Sequence, residues 1–129
     1  MHTDTKKLRY FAGGEFKESR TARYMNCYDP STGEVIALAP QCTPAEVAEA
    51  VAAAKAAFPA WADTPPNKRV QVLFRLKALL DKHLDELTLL CAKENGKVWD
   101  EAMGDVAKAI EVTEFAAPVE IAFGTSVLA

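Results

Sequence analysis

The sequence predicts an α+β fold in which two N-terminal β-hairpins precede three or four helices. Short extended runs separated by glycine-containing turns occupy the first 42 residues, whereas apolar residues recur every three or four positions from residue 43 onward. The chain has 129 residues, half of them hydrophobic, which is enough for one globular domain or a part of one. We therefore expect hairpins over residues 1–42 and helices over residues 43–123.

Both hairpins are predicted from their turns. The first covers residues 8–18, LRYFAGGEFKE, where Gly13 and Gly14 supply the positive φ angles of a tight two-residue turn. The second places residues 24–28 and 35–39 on either side of the turn DPSTG. In that turn the proline presets φ and the later glycine relieves strain, so the chain is expected to reverse there.

A capping box marks the start of the first helix. Thr43 is the expected N-cap, Pro44 the first helical residue and Glu46 the third, so that two unpaired N–H groups are satisfied reciprocally. We expect this helix to end at Pro59. Its apolar positions, which should form one buried face, are Val47, Ala50, Val51, Ala54, Ala57 and Phe58.

Two further helical regions follow. Thr64 and Pro65 should open the second helix, and a joint near Lys82 and His83 would divide it into two. Its apolar stripe consists of Leu73, Leu76, Leu80, Leu84, Leu87 and Cys91.

The last helix is expected from Trp99 to Phe115, with Pro118 kinking or ending it because proline removes a backbone donor. Its stripe consists of Trp99, Met103, Val106, Ile110 and Thr113, with Ala102 and Ala109 alongside.

The segment LLCAKENGK at residues 89–97 raises the question of a catalytic thiol. Cys91 lies on the apolar stripe in the last turn of its helix, where burial and the negative end of the helix dipole both oppose a thiolate. Glu94, three residues on, would repel that thiolate. Gly96 instead suits the left-handed residue that follows a helix. We interpret the segment as a helix stop, and keep as an alternative a small thiol enzyme that uses Cys91, Glu94 and His83.

Composition and motifs exclude several function classes. With 15 basic and 18 acidic residues, the net charge of -3 offers no electrostatic attraction to nucleic acid or to an anionic membrane surface. No apolar run approaches the roughly 20 residues of a membrane span, and the N-terminus resembles neither a secretory signal nor a transit peptide. The expected location is therefore the cytoplasm.

No site residues are predicted in this span. Cys27, Cys42 and Cys91 are widely spaced without a C-x-x-C pair, and His2 and His83 are isolated, so neither zinc nor a disulfide framework is expected. Dinucleotide-binding, phosphate-loop, metalloprotease and nucleophile-elbow motifs are missing from the sequence. The predicted catalytic, cofactor-binding and metal-binding residues are accordingly none.

The order of these segments resembles the N-terminal region of the aldehyde dehydrogenase superfamily. The matching phrases are YFAGGEFKES at 10–19, DPSTGEVI at 29–36, EVAEAVAAAKAAFPAW at 46–61 and the helix that ends in ENGK at 94–97. PAWADTP at 59–65 and GDVAKAIEVTEFAA at 104–117 are most similar to the CoA-acylating branch, methylmalonate-semialdehyde dehydrogenase.

The resemblance implies a parent enzyme that binds NAD or NADP on a Rossmann-like domain. Such enzymes attack the aldehyde with a cysteine, transfer hydride, and release the acyl group to water or CoA. Residues 1–129 would be the N-terminal portion of that α/β cofactor-binding domain, without its catalytic and oligomerisation regions. NAD and the co-substrate CoA would belong to the full-length parent, and this segment would hold no cofactor. None of the three cysteines matches the family's nucleophile.

The expected partners follow from this truncation. The helices would lack the parallel sheet on which they normally pack, so the partners are the rest of the parent enzyme and, for the isolated chain, other copies of itself through exposed apolar helix faces. A non-enzymatic helical protein-interaction module remains the alternative function.

Overall fold

The computed structural model describes residues 5–126 and confirms the predicted order of hairpins followed by helices. The elements are β1 (Tyr10–Ala12), β2 (Glu15–Lys17), β3 (Tyr24–Tyr28), β4 (Val35–Pro40), α1 (Pro44–Ala62), α2 (Pro66–Lys82), α3 (Leu84–Asn95) and α4 (Trp99–Ser126). They group into two compact units that divide between Pro59 and Ala60. The N-terminal unit contains the strands and most of α1, and the C-terminal unit contains α2, α3 and α4.

The first hairpin forms around the paired glycines as predicted. Gly13 and Gly14 have φ angles of 65° and 83°, which is the pattern of the turn that matches the twist of two antiparallel strands. β1 pairs with β2 so that Phe11 lies opposite Phe16. Their rings meet edge to face with centroids 5.0 Å apart, a favourable aromatic geometry.

The second hairpin is closed by the backbone and side chain of Asp29. Its carbonyl accepts a hydrogen bond from the N–H of Gly33 at 2.7 Å, and its Oδ1 accepts one from the N–H of Ser31 at 2.8 Å. Gly33 has a φ of 75°, so the expected role of the glycine in this turn is confirmed. β3 and β4 are antiparallel, with a register shift between Cys27 and Tyr28.

An additional backbone pairing joins the start of the chain to β4. The N–H of Leu8 donates to the carbonyl of Leu38 at 2.8 Å, and the N–H of Leu38 donates to the carbonyl of Lys6 at 3.0 Å. Lys7 and Leu38 thus form a parallel bridge. The sequence did not predict this pairing, because the residues before Leu8 are polar and show no strand periodicity.

The start of α1 is confirmed, whereas its predicted end and buried face are wrong. The N–H of Thr43 donates to Glu46 Oε2 at 2.7 Å, and the N–H of Glu46 donates to Thr43 Oγ1 at 3.3 Å, which is the reciprocal capping box. The helix passes Pro59 and ends at Ala62. Lys55, whose carbonyl loses its N–H partner to the proline, is exposed, so water can satisfy that group.

The apolar residues of α1 are largely uncovered. Val51 and Phe58 are 62% and 67% exposed, and the buried residue of the helix is Glu46. Hydrophobic periodicity therefore identified which residues share a face of α1, but nothing in the N-terminal unit covers that face among the described residues.

Small residues form the core of the C-terminal unit, where α4 packs along both α2 and α3. The most buried residues are Val70, Thr88, Ala102, Val106 and Ala117. The hydroxyl of Thr88 donates to the carbonyl of Leu84 at 2.8 Å, so its burial leaves no unsatisfied polar group. Ala102 and Ala117 permit close approach of the helix axes.

The predicted joint in the second helical region is confirmed. α2 ends at Lys82 and α3 begins at Leu84, with His83 between them at φ -106° and ψ 20°. α2 starts slightly later than predicted, because Pro65 is its N-cap and the Thr64 hydroxyl instead donates back to the carbonyl of Ala60 at 2.8 Å.

α4 is longer than predicted, and its predicted stripe is only partly buried. It runs through Pro118 to Ser126, so an end of the helix at this proline is wrong, and a kink there stays a prediction. Trp99 and Met103 remain 43% and 37% exposed. Val106 of the predicted stripe and Ala102 beside it are buried, as is Ala117, because α4 packs along α2 and α3 there.

Candidate functional site: a thiol cluster and an apolar surface

Cys91 lies in a small polar cluster at the C-terminal end of α3. The thiol is half-buried rather than fully buried as predicted. Its Sγ is 3.7 Å from Asp105 Oδ2 on α4 and 3.7 Å from Asn95 Nδ2. Lys97 Nζ donates to the same oxygen of Asp105. The cluster therefore links the end of α3 to α4 through one carboxylate.

The ion pair with Lys97 weakens Asp105 as a base toward the Cys91 thiol. The hydrogen bond from Lys97 holds the pKa of Asp105 below its ordinary value, and the same bond raises the pKa of Lys97. A carboxylate with a lowered pKa is a poor acceptor for a thiol proton, because general bases work best near the operating pH. The geometry thus favours a structural link over an activated nucleophile.

The trio of the alternative thiol enzyme is not assembled. His83 precedes α3 and lies eight positions before Cys91, which corresponds to about 12 Å along a helix. Its Nδ1 is instead 2.9 Å from Glu86 Oε2. Within the described part of the chain, the polar partners of the thiol are Asp105 and Asn95 rather than Glu94. Sequence reasoning missed Asp105, because it belongs to another helix.

Gly96 ends α3 as predicted. Its φ of 67° and ψ of 25° are left-handed, and its N–H donates to the carbonyl of Ala92. The N–H of Lys97 donates to the same carbonyl at 3.2 Å. The side chain of Asn95 donates to the carbonyl of Cys91 at 3.0 Å, so the exposed carbonyls of the last turn gain partners.

Cys27 and Cys42 are free, half-buried thiols. Among the side chains that the structure describes, residues 5–119, no three His, Cys, Asp or Glu groups cluster in a way that could hold a metal ion. Among the helices described, none combines the length and apolar character needed to cross a membrane.

The residues at the β4–α1 turn do not fit a dinucleotide. A pyrophosphate site needs a glycine-rich turn that opens a helix with free N–H groups. Here the turn is Gln41-Cys42-Thr43, without glycine, and the carboxylate of Glu46 already accepts hydrogen bonds at the helix start. This turn therefore offers no place for the pyrophosphate of a dinucleotide.

The prominent surface of the N-terminal unit is the exposed side of α1, which we term the α1 face and define as Val47, Ala50, Val51, Ala54 and Phe58. A groove of about 380 Å³ lies along it, lined also by Tyr10 and Cys42. A second groove, of about 650 Å³, lies between α1 and the turn of the first hairpin. Such a face can pack against another apolar surface but provides no reacting group.

The C-terminal unit exposes large apolar side chains as well. On its helices these include Phe74, Leu76, Leu79, Leu89, Leu90, Val112 and Phe115. An exposed set of this size is typical of an interaction surface.

Comparisons with known proteins agree with this description. The sequence pattern of the Aldehyde dehydrogenase family matches residues 16–123. Malonate-semialdehyde dehydrogenase 1 of Geobacillus thermodenitrificans is 43% identical over 117 residues, which cover 91% of this chain and 24% of that protein. The human mitochondrial methylmalonate-semialdehyde/malonate-semialdehyde dehydrogenase [acylating] is 42% identical over 112 residues, 87% of this chain and 21% of that enzyme.

Solved structures show the same partial coverage. The methylmalonate-semialdehyde dehydrogenase of Oceanimonas doudoroffii superposes with a TM-score of 0.82 at 36% identity, over 87% of this chain and 23% of its own. A Sinorhizobium meliloti protein complexed with NAD gives a TM-score of 0.86 at 34% identity, over 92% and 24%. The chain spans about a quarter of the length of these relatives. It therefore belongs to the aldehyde dehydrogenase family and corresponds to an N-terminal segment of such enzymes.

Proposed function

We propose that this chain is the structural N-terminal portion of a cytoplasmic, NAD-dependent methylmalonate- or malonate-semialdehyde dehydrogenase of the CoA-acylating type. The full enzyme would convert the aldehyde, NAD and CoA to an acyl-CoA and NADH. This span would supply packing surface and no activity of its own. The observation that carries the proposal is the exposed α1 face on a chain about 43% identical to such a dehydrogenase.

The chemistry of the described residues supports a structural role. Aldehyde oxidation of this kind needs an activated thiolate and a bound dinucleotide. The Cys91 thiol faces a carboxylate that is already ion-paired, and the β4–α1 turn is filled by Glu46. NAD and CoA are therefore assigned to the rest of the parent enzyme.

The partners proposed for the exposed faces are the remaining parts of that enzyme. Leaving Val51 and Phe58 in water forgoes about 1.5 to 3 kcal/mol for each side chain that could be buried. In the isolated chain the same faces would favour oligomers by contact with further copies.

Complementation tests this function. The malonate-semialdehyde dehydrogenase of Geobacillus thermodenitrificans is truncated by removing the segment that matches this chain. The truncated enzyme and this chain are then expressed together, and each is also expressed alone as a control. Malonate semialdehyde, NAD and CoA should yield NADH only when both parts are present, and the two parts should co-purify. Phe58→Asp should weaken both readouts, whereas the exposed Lys55→Gln on the same helix should not.

Two results would overturn the proposal. One is NADH formation by this chain alone, and the other is a truncated enzyme that neither binds the chain nor regains activity with it. The helical interaction module rests on the same exposed faces, but it predicts no preference for the remaining dehydrogenase segment.

A further inference from the structure

Glu46 holds an unusual position for a capping residue, because its side chain is fully inaccessible to solvent. Two of its hydrogen bonds come from Thr43, whose N–H and Oγ1 donate to Oε2 at 2.7 and 2.9 Å. Two more come from the connection between β2 and β3. Ser19 Oγ donates to Oε2 at 2.9 Å, and the N–H of Arg20 donates to Oε1 at 2.6 Å.

The second pair of bonds lies outside the function of a capping box. In that motif the third helical residue satisfies only the N–H of the N-cap residue. Here the other carboxylate oxygen is taken by Arg20, which lies 26 positions earlier in the chain. Ser19 Oγ in turn accepts from the N–H of Thr21 at 3.2 Å, so the connection is organised around the same carboxylate.

The same hydrogen bonds also stabilise the charged form of Glu46. The pKa of this carboxyl is lowered to about 2, and the largest cause is the hydrogen bond from the N–H of Arg20, ahead of the one from Thr43. The guanidinium of Arg20 is a secondary influence, since its Nε is 3.8 Å from Oε1 and its Nη2 pairs with Glu49 at 2.7 Å. The backbone N–H of Arg20 thus lowers the pKa of Glu46 more than the charge of the Arg20 guanidinium does.

We infer that Glu46 is a positioning residue that fastens the connection between the two hairpins to the start of α1, and that this role requires a carboxylate. A carboxylate presents acceptors on both oxygens, which matches donors that converge from two directions. Glutamine, which a capping box accepts equally well, would turn its NH₂ toward one of these donors. This role is independent of the proposed dehydrogenase function.

Amide hydrogen exchange measured residue by residue by NMR on the whole chain tests the inference. Glu46→Gln should accelerate exchange at the Arg20 amide about tenfold or more, as expected when a hydrogen bond to a charged group is lost. Glu49→Gln is the matched control, because it makes the same chemical change on the same helix at a carboxylate that accepts a hydrogen bond from the Arg20 side chain. It should change that rate less than about twofold.

Two further variants distinguish the hydrogen bonds that hold the connection from those of the capping box. Ser19→Ala leaves both the capping box and the Arg20 bond to Oε1 intact, so it should accelerate exchange at Arg20 less than Glu46→Gln does and leave Val47 in α1 unchanged. Arg20→Ala keeps the backbone donor and should preserve protection at position 20. The inference is overturned if Glu46→Gln behaves like Glu49→Gln, or if Ser19→Ala accelerates exchange at Arg20 as much as Glu46→Gln does, whatever Glu46→Gln does to overall stability.

Discussion

Glu46 illustrates how one side chain can satisfy a local and a distant requirement together. The capping box was predictable, because Thr43, Pro44 and Glu46 are close in sequence and their roles depend on helix geometry alone. The bonds from Ser19 and Arg20 were not predictable, since their partners are 27 and 26 positions away and meet only after the hairpins form.

The lowered pKa of Glu46 predicts a loss of stability in acid. Its pKa is about 2 in the folded chain against an ordinary value of 4.5, so the unfolded chain binds a proton more readily. This stabilisation is complete above about pH 5 and is lost as the pH falls toward 2. Urea unfolding from pH 6 to pH 2 should show the loss.

Variants identify the group responsible for that pH dependence. The Glu46→Gln chain should be less stable at neutral pH and should show a flatter dependence in this window, whereas Glu49→Gln should retain the wild-type slope. Identical slopes for wild type and Glu46→Gln would contradict the assignment.

At the scale of elements, glycine predicted the end of a helix more reliably than proline did. Gly96 has the predicted left-handed backbone, a requirement that depends only on the residue itself. Pro59 and Pro118 lie inside α1 and α4 instead of ending them. A proline removes one N–H and one hydrogen bond, and an exposed helix can bear that loss when water binds the freed carbonyl.

A pair of glycine substitutions tests the helix stop. Gly96→Ala should lower the free energy of unfolding by about 1 kcal/mol, because alanine disfavours a φ of 67°. Gly104→Ala is the control within α4, where an added Cβ meets nothing within 4 Å. It should raise the free energy of unfolding by about 0.5 to 1 kcal/mol, since alanine is the better helix former. Thermal unfolding of both variants would measure this, and a neutral Gly96→Ala would refute the stop.

At the scale of the whole molecule, the two units leave much apolar surface uncovered. The α1 face is exposed in the N-terminal unit, and Leu79, Leu89 and Phe115 are exposed in the C-terminal unit. Relatives of known structure are about four times longer than this chain, and we propose that other segments of the parent enzyme cover these faces.

Self-association of the purified chain is the corresponding prediction. Sedimentation should show a weight-average mass that rises with concentration, because apolar faces of this size bury one another. Val51→Asp, within the α1 face, should weaken association at least about tenfold, as expected for a charge placed in an apolar contact. Ala52→Asp adds the same charge at an exposed position of α1 outside both grooves and should have a smaller effect.

A clean monomer at all concentrations, with no binding of a hydrophobic dye, would count against exposed apolar faces in solution. Equal effects of Val51→Asp and Ala52→Asp would place the contact elsewhere on the chain.

The sequence by itself determined the hairpin turns, the starts of α1 and α4, the Gly96 stop and the joint at His83, because each depends on residues within about four positions of one another. The sequence segments quoted above also indicated the aldehyde dehydrogenase family. Only the tertiary structure decided that residues 6–8 pair with β4, that Asp105 lies beside Cys91, and that Ala102 rather than Trp99 is buried. Periodicity establishes which side chains share a face, but only the packing of distant segments establishes which face is covered.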